Sequence, residues 1–365
     1  MLTFPTQLAA IHKRLQAIDP ERYAASRNYK HGALTYLSPY LSRGVLSTQR
    51  VYRYIRTMGL AWSKIEKLVQ ELAWRDYWQH VWRHKLAGIM TDLCNQQQPV
   101  RSHQLPTAIV KASTGIKAID DAIAQFYTTG YMHNHMRMYV ASICCNLAHV
   151  HWLAPARWMY SHLLDGDLAS NHLSWQWVAG TFSKRKYYAN QQNINFYFGG
   201  GQRDTFLDYD YSQLPKLKVP DVLLETMDSL CTTSLPTSRP LLLNRDKETL
   251  VYNYYNLDPY WYTQCDVQRI LLLEPSFFSA YPVHKHCVDF IMALASNINK
   301  IQIFVGEFAE LQQWVRIDKL LYKEHPTTRH YVGKEESRDW LVPIKGHYAS
   351  FFAYWKQYKR ILLAQ

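Results

Sequence analysis

No stretch of eighteen apolar residues occurs in this 365-residue chain, so no membrane-spanning helix is expected. No basic start leads into an apolar run and a small-residue cleavage site, which gives the expectation of a soluble, cytoplasmic protein without an export signal. The six cysteines (Cys94, Cys144, Cys145, Cys231, Cys265 and Cys287) lack Cys-x-x-Cys spacing, and the adjacent pair lies in an apolar helical stretch. Reduced packing thiols are therefore expected rather than disulfides or a zinc knuckle. His80 and His84 have i, i+4 spacing, but no HExxH motif and no third ligand accompanies them, so no metal is expected. Acidic residues are scarce in the first two hundred positions, where 10 Asp and Glu face 22 Lys and Arg. Residues 201–365 balance at 19 against 19, so the whole net charge of +12 belongs to the first part, which also holds eight of the twelve tryptophans. Such a half attracts polyanions and can stack on bases, though composition alone leaves nucleic-acid binding open.

With 48% hydrophobic residues the chain can bury a large core and is expected to divide into domains. From Tyr23 to about Trp177 the apolar residues recur at three- and four-residue spacing, as in Val51–Tyr54–Ile55–Met58 and Ile65–Leu68–Leu72, which predicts successive amphipathic helices. Gly199-Gly200-Gly201 closes that regime, and the stretch holding Pro215, Pro220, Pro236 and Pro240 reads as a connector. The expected organisation is a helical domain over 1–200, a connector over 201–240 and a small α/β domain over 241–365. In the last, Arg269–Glu274 and Ile301–Val305 are short apolar strand-like runs, with helical segments at Val283–Ala295 and near Phe308–Val315. That alternation predicts a small parallel layer, and neither GxGxxG nor GxxxxGK[ST] follows either strand.

Four segments of the first part carry chemistry. Residues 31–47 (HGALTYLSPYLSRGVLS) place Thr35, Ser38, Ser42 and Ser47 near Gly32 and Gly44. Such hydroxyls can surround a pyrophosphate, or simply cap helices and close turns. Residues 70–82 (QELAWRDYWQHVW) put Glu71, Trp74 and Trp78 at i, i+3 and i+7, with Arg75 one turn after Glu71. A carboxylate among indoles suits a pocket that stacks on flat rings, whereas an ordinary surface pair above a tryptophan core is the plainer reading. In residues 130–145 (GYMHNHMRMYVASICC), His133 and Arg137 lie one turn apart, as do Asn134 and Met138. In residues 164–177 (LDGDLASNHLSWQW), Asp165-Gly166-Asp167 followed by Asn171 reads equally as a turn with a helix cap.

In order and content these four segments, over about Tyr23 to Asn195, resemble the FAD-binding domain of DNA photolyases and cryptochromes. The resemblance implies a mainly α fold, an all-helical photolyase-type FAD-binding domain followed by a smaller α/β domain. It implies that Tyr23, Thr35, Leu37 and Ser38 hold the flavin diphosphate and ribityl chain and that Arg75 faces the cofactor. It implies that Asp165 and Asp167 lie near the isoalloxazine and adenine ends, that Arg137 pairs with Asp165, and that Asn171 faces flavin N5. Asparagine at that position is what such proteins use when the working state is the fully reduced anionic flavin. Glu71, Trp74, Asn134, Met138 and Trp177 match positions that grip a flipped cyclobutane pyrimidine dimer, and the absence of histidines at Asn134 and Met138 disfavours six-four specificity. Trp175 and Trp152 match the proximal and middle tryptophans of a photoreduction chain, but residues 92–115, where the distal one would fall, contain no tryptophan. Tyr127 and Trp158 are candidate substitutes.

The expected activity is that of a deoxyribodipyrimidine photolyase-like lyase. It repairs damaged DNA, single- or double-stranded, by light-driven electron transfer from reduced FAD, with Glu71 stabilising the dimer radical anion. Arg43, Arg157, Lys184, Arg185 and Lys186 are candidates for phosphate contacts by proximity in sequence. The antenna domain that usually precedes the helical domain is not at its usual place, and the region after 240 faintly resembles one in swapped order, which would imply a second chromophore. The cysteine set for an iron–sulfur cluster after the WQW run is not found. The alternative is a cryptochrome-like blue-light receptor signalling through its C-terminal region, which would be free to lose Glu71, Trp74 or Trp177. A light-independent nucleic-acid binder would purify without flavin.

Overall fold

Two spacings of apolar residues become two kinds of backbone in the computed structural model, which describes residues 2–228, 231–237, 240–344, 346 and 348–364. The helical stretch comprises α1 (Leu8–Gln16), α2 (Pro20–Ser26), α3 (Ser38–Ser42), α4 (Thr48–Thr57), α5 (Trp62–Lys85), α6 (Thr107–Val110), α7 (Lys117–Thr129), α8 (Asn134–Ser142), α9 (Leu153–His162), α10 (Leu168–Ala179) and α11 (Gln191–Phe198). A two-stranded antiparallel ribbon pairs β1 (Leu105–Pro106) with β2 (Thr226–Met227). Next come β3 (Thr249–Tyr252), β4 (Gln268–Leu273), α12 (Pro275–Ala280), α13 (Lys285–Ala295), β5 (Ile301–Val305), α14 (Phe308–Leu311), β6 (Leu320–Lys323), β7 (Lys334–Glu336) and α15 (Phe351–Leu363). The chain packs as two compact units, one built mainly from Ala25–Leu34 and Lys85–Cys231, the other from Thr3–Ala24, Thr35–His84 and Thr232–Gln365.

In the first unit, α7 shows how sequence makes structure. Ile119, Ile123 and Phe126 fall at i, i+4 and i+7 and are all buried, each worth about 2 kcal/mol of apolar burial. The helix stops at Gly130, whose φ of 65° is left-handed; a Cβ there would stand 2.6 Å from Leu164 Cγ, so only glycine closes this end. Helix α10 is buried on nearly every side, which explains why its sequence shows no clean polar face. Its Gln176 is satisfied internally. Gln176 Nε2 donates to Ile89 O at 2.9 Å, and Gln176 Oε1 accepts from Leu93 N at 3.2 Å, so the glutamine of the WQW run is a core tie.

In the second unit, β3 to β7 form one parallel sheet of spatial order β5-β4-β3-β6-β7. The anticipated strands are β4 and β5, within a residue of the expected ends, and the anticipated helices are α13 and the shorter α14. Val251, Ile270, Leu272, Phe304, Phe308, Leu311 and Leu320 make the core on one face of this sheet. The same unit holds α3, α4 and most of α5. Asp76 on α5 is buried, and it accepts hydrogen bonds from Thr48 Oγ1 (3.1 Å), Leu341 N (2.9 Å) and Tyr358 Oη (2.9 Å). Burial raises its pKa despite the Arg338 charge and these donors, so the carboxyl ties α4, the segment before α15, and α15 itself to α5.

Candidate functional site

The matched residues fall in both units. In the first, the turn between α9 and α10 carries Asp165-Gly166-Asp167. A Cβ on Gly166 would stand 3.0 Å from both the Leu163 and Tyr160 carbonyl oxygens, which accounts for the glycine between the two aspartates. Arg137 Nη2 donates to both oxygens of Asp165 at 3.0 and 2.9 Å, and Arg137 Nε donates to Met132 O at 2.8 Å. The pair is thereby fixed, with the Asp165 side chain only 5% exposed and that of Arg137 20%. Asp167 caps α10: its Oδ1 accepts from Ser170 N at 2.8 Å and Ser170 Oγ at 3.1 Å. The cap reading of this turn and the site reading are therefore compatible, since one carboxylate caps the helix and the other is held by arginine. Asn171, buried on α10, donates from Nδ2 to Ala156 O at 2.8 Å, which turns its amide oxygen to the other side.

Also in this unit, Trp152 and Trp175 are buried, whereas Trp177 is 39% exposed. Asn134 opens α8 and is exposed, and Met138 one turn later is half-buried. Of the candidate substitutes in the electron chain, Trp158 Nε1 donates to Tyr127 Oη at 3.2 Å, and Tyr127 Oη donates to Val110 O at 2.7 Å, with burial raising the phenol pKa. His133, the N-cap of α8, is held neutral by burial, its pKa pushed down to about 4.

In the second unit, Thr35 and Leu37 lie in the loop entering α3, and Ser38 is its first residue. Leu37 is buried, and its N donates to Thr35 Oγ1 at 3.4 Å; Ser38 and Tyr23 are half-buried. Arg75 reaches from α5 to this loop, donating from Nη2 to Ser38 O at 3.3 Å and to Ser42 Oγ at 2.5 Å. It holds the segment that carries the hydroxyls. On the same helix, Glu71 pairs with Lys67 Nζ at 2.9 Å, one turn earlier. Trp74 is stacked face to face by Phe351 of α15, with ring centroids 3.6 Å apart and planes within 8°. No sequence reading anticipated this contact. The signal was there, since Phe351, Tyr354, Trp355, Tyr358 and Leu362 fall at i, i+3, i+4, i+7 and i+11, and all are buried on one face of α15.

One expected phosphate contact is corrected. Arg43 is 0% exposed; its guanidinium lies 3.8 Å over the Tyr254 ring and Nη1 donates to Tyr254 O at 3.2 Å, so it cannot reach a phosphate. Arg157, Lys184 and Arg185 are exposed, and Lys186, half-buried, donates to Gln98 O. The six cysteines are all free thiols, with Cys144 and Cys145 buried in the helical core. Among the described residues no group of three or more metal-ligating side chains converges, and no helix is long and apolar enough to cross a membrane.

Taken separately, each unit's donors suit a part of a flavin dinucleotide. Hydroxyls of Thr35 and Ser38, on a loop braced by a cation, suit a diphosphate. A neutralised Arg137–Asp165 pair and a directed amide at Asn171 suit the polar edge of a flat heteroaromatic ring. Residues 68–222 match the family described as the FAD binding domain of DNA photolyase. A deoxyribodipyrimidine photo-lyase of Vibrio cholerae is 34% identical over 158 residues, 40% of this chain and 32% of that protein. One of Streptomyces griseus is 32% identical over 186 residues, 51% of this chain and 40% of that protein. The chain thus spans about a third to two fifths of the length of these curated relatives. Among solved structures, a Synechocystis cryptochrome is similar at 27% identity and a TM-score of 0.49, covering 54% of this chain and 44% of that one. By the matched domain and these relatives, residues 68–222 are similar to the FAD-binding domain of the photolyase/cryptochrome family, which supports FAD as the cofactor.

Proposed function

We propose that this protein is a light-driven DNA-repair flavoprotein that splits cyclobutane pyrimidine dimers in damaged DNA, a deoxyribodipyrimidine photolyase-like lyase. The observation that carries the reading is the joint retention of Glu71, Trp74, Asn134, Met138 and Trp177, beside relatives named deoxyribodipyrimidine photo-lyase. FAD, when bound and reduced, supplies the photoexcited electron that opens the dimer and recovers it afterwards. The chain supplies the rest. Thr35, Leu37, Ser38 and Tyr23 hold the diphosphate and ribityl end, with Arg75 bracing their loop at Ser38 and Ser42. Asp165, fixed by Arg137, and Asp167 flank the ring and adenine ends, and the Asn171 amide oxygen, turned away from Ala156, is the acceptor offered to flavin N5–H. Glu71 and Asn134 hydrogen-bond the pyrimidine carbonyls, while Trp74, Trp177 and Met138 provide apolar contact for the flipped bases. Trp152 and Trp175 pass electrons during photoreduction.

A second reading, a blue-light receptor signalling through its C-terminal region, is favoured by one observation. One face of Trp74 is covered by Phe351 of α15. If a base stacks on that face, repair requires α15 to leave, and a receptor could use that departure as its output. The test is anaerobic blue-light irradiation of the flavin-loaded, reduced protein with an oligonucleotide carrying one thymine dimer. Dimer loss that needs both light and flavin supports repair; flavin photochemistry without dimer loss, in the intact chain and in a Phe351→Ala variant alike, rejects it.

A further inference from the structure

We propose that Asp92 is the proton acceptor for an oxidised Trp152, so that an electron hole moving outward stops on Trp152 as a neutral indolyl radical. This rests on the reading of Trp175 and Trp152 as electron carriers. The geometry is local to one unit. Trp152 is 0% exposed, and its Nε1–H donates to Asp92 Oδ1 at 2.7 Å. The other carboxylate oxygen accepts from Gln97 N at 2.8 Å, and His151 Nε2 stands 3.3 Å from Oδ1. His151 Nδ1 accepts from Leu153 N at 3.3 Å, which places the imidazole proton on Nε2, facing the carboxylate. Gln97 closes the arrangement, with Oε1 accepting from Trp152 N at 2.9 Å and Nε2 donating to Val150 O at 2.8 Å. Two N–H groups, Gln97 N and His151 Nε2, therefore hold Asp92 against the indole nitrogen. Its side chain keeps 18% exposure, and the exposed His103 ring stacks on His151 at 4.9 Å.

The chemistry follows from the acidity of an oxidised indole. A neutral indole N–H is a very weak acid and simply donates to the carboxylate, whereas the radical cation is a strong acid. A bound flavin would supply the photooxidant for Trp175; the Trp175 cation would then be refilled by one electron from Trp152. The Trp152 cation then releases its Nε1 proton to Asp92 Oδ1, leaving a neutral radical and a carboxylic acid, which passes the proton to water at its exposed edge. Each transfer moves one electron, and the single proton goes to solvent. Before deprotonation, the carboxylate also offsets the positive charge at hydrogen-bond distance in a buried site. The sequence gives this step its importance. Residues 92–115 contain neither tryptophan nor tyrosine, so no side chain of that segment can carry the hole further by ordinary aromatic oxidation. The carboxylate of Asp92 and the ring of His103 are what that segment contributes instead.

A merely structural Asp92 would anchor Trp152 without changing the protonation state of its radical, and Asp92→Asn separates the two roles. The amide oxygen still accepts the indole N–H but takes up no proton. Transient absorption after a light pulse on the oxidised, flavin-loaded protein distinguishes the tryptophan radical cation from the neutral radical. In the wild type the cation should convert to the neutral form with a solvent deuterium effect, and in Asp92→Asn the neutral signal should be lost while the cation recombines. Neutral radical forming equally fast in Asp92→Asn, or a cation that never converts in the wild type, overturns the proposal. Trp152→Phe reports on the carrier reading separately: if it leaves all radical signals unchanged, that reading and this proposal both fall. Should Asp92→Asn not fold, time-resolved infrared on the wild type decides. A carboxylic-acid band rising with the neutral radical supports Asp92, and its absence refutes it.

Discussion

Replacing Phe351 by alanine tests whether α15 gates the Trp74 face. Phe351 is 3% exposed, stacked on Trp74 at 3.6 Å and edge-on to Tyr77 at 5.7 Å, so its removal deletes a whole ring from a tight contact. Buried Phe→Ala changes cost roughly 3–5 kcal/mol. If α15 docks on α5 as a local equilibrium, that cost falls on the docked state, and the population with Trp74 uncovered rises by about 10²- to 10⁴-fold until the open state dominates. The apparent Kd for a dimer-bearing oligonucleotide is the intrinsic Kd divided by the open fraction, so affinity should rise by the same factor up to that limit. Two measurements are needed together: amide hydrogen exchange over residues 351–363, and fluorescence anisotropy with damaged and undamaged strands. Phe352→Ala, at a neighbouring position 71% exposed, is the control expected to change neither. Faster exchange in α15 with no gain in damaged-strand affinity would refute the gating argument, because the face would then be open without being used.

Three further outcomes are expected. Arg137→Met should cost about 1.5–3 kcal/mol, because it removes the charge-assisted hydrogen bonds from Arg137 to the buried Asp165 carboxylate, and it should lower FAD occupancy; denaturant melts and the flavin-to-protein absorbance ratio report both. Glu71→Ala should lower the quantum yield of repair while leaving flavin content as in the wild type, since Glu71 is assigned to the dimer; an unchanged yield removes that assignment. His80 stacks on Trp340 and is held neutral by burial, with its pKa lowered from 6.5 to about 4. The unfolded chain binds that proton first as the pH falls. The stability contribution is therefore complete above pH 6.5 and lost as pH drops through the interval to about 4, an effect of up to about 3 kcal/mol. His80→Asn should flatten the dependence of Tm on pH in that interval, and an equally steep profile would show that other groups control it.

What could be read in the sequence is what repeats or what carries rare chemistry. Helix α7 was legible because Ile119, Ile123 and Phe126 share one face above polar neighbours, β4 because its apolar run is buried on both sides, and β5, a partly buried edge strand, because its run is short, branched and apolar. Strands β3, β6 and β7 are three or four residues long, and β7 is Lys-Glu-Glu; nothing local marks such a segment as a strand, since its pairing comes from parallel neighbours distant in sequence. In the same way the Arg137–Asp165 bond was expected from the order of motifs, whereas Arg43 was misjudged. A basic residue beside Gly44 reads as a surface cation, and only the fold shows it turned inward onto Tyr254.

The placement of α15 alters how the motif helix itself should be understood. Residues of α5 meet three kinds of partner in one unit. Arg75 turns to the hydroxyl loop at Ser38, Asp76 turns to Tyr358 and Leu341, and Trp74 lies under Phe351. Consecutive residues thus serve α3 and the C-terminal helix, so a displacement of α5 at one set of contacts must be felt at the other. Tyr358 and Asp76 form the stronger tie, a buried hydroxyl on a buried carboxyl, while the Lys359–Glu66 pair at 2.5 Å is partly exposed and worth little. A tie of this kind holds α15 without sealing it. Breaking the Asp76 bond leaves a buried acceptor short of one donor, whereas breaking the Trp74–Phe351 stack exposes two apolar faces that a pair of unstacked bases could cover in turn. A lesion that presents an apolar ring face is therefore a suitable competitor for Phe351, and a change in the charge of Asp76 is not required to release the helix.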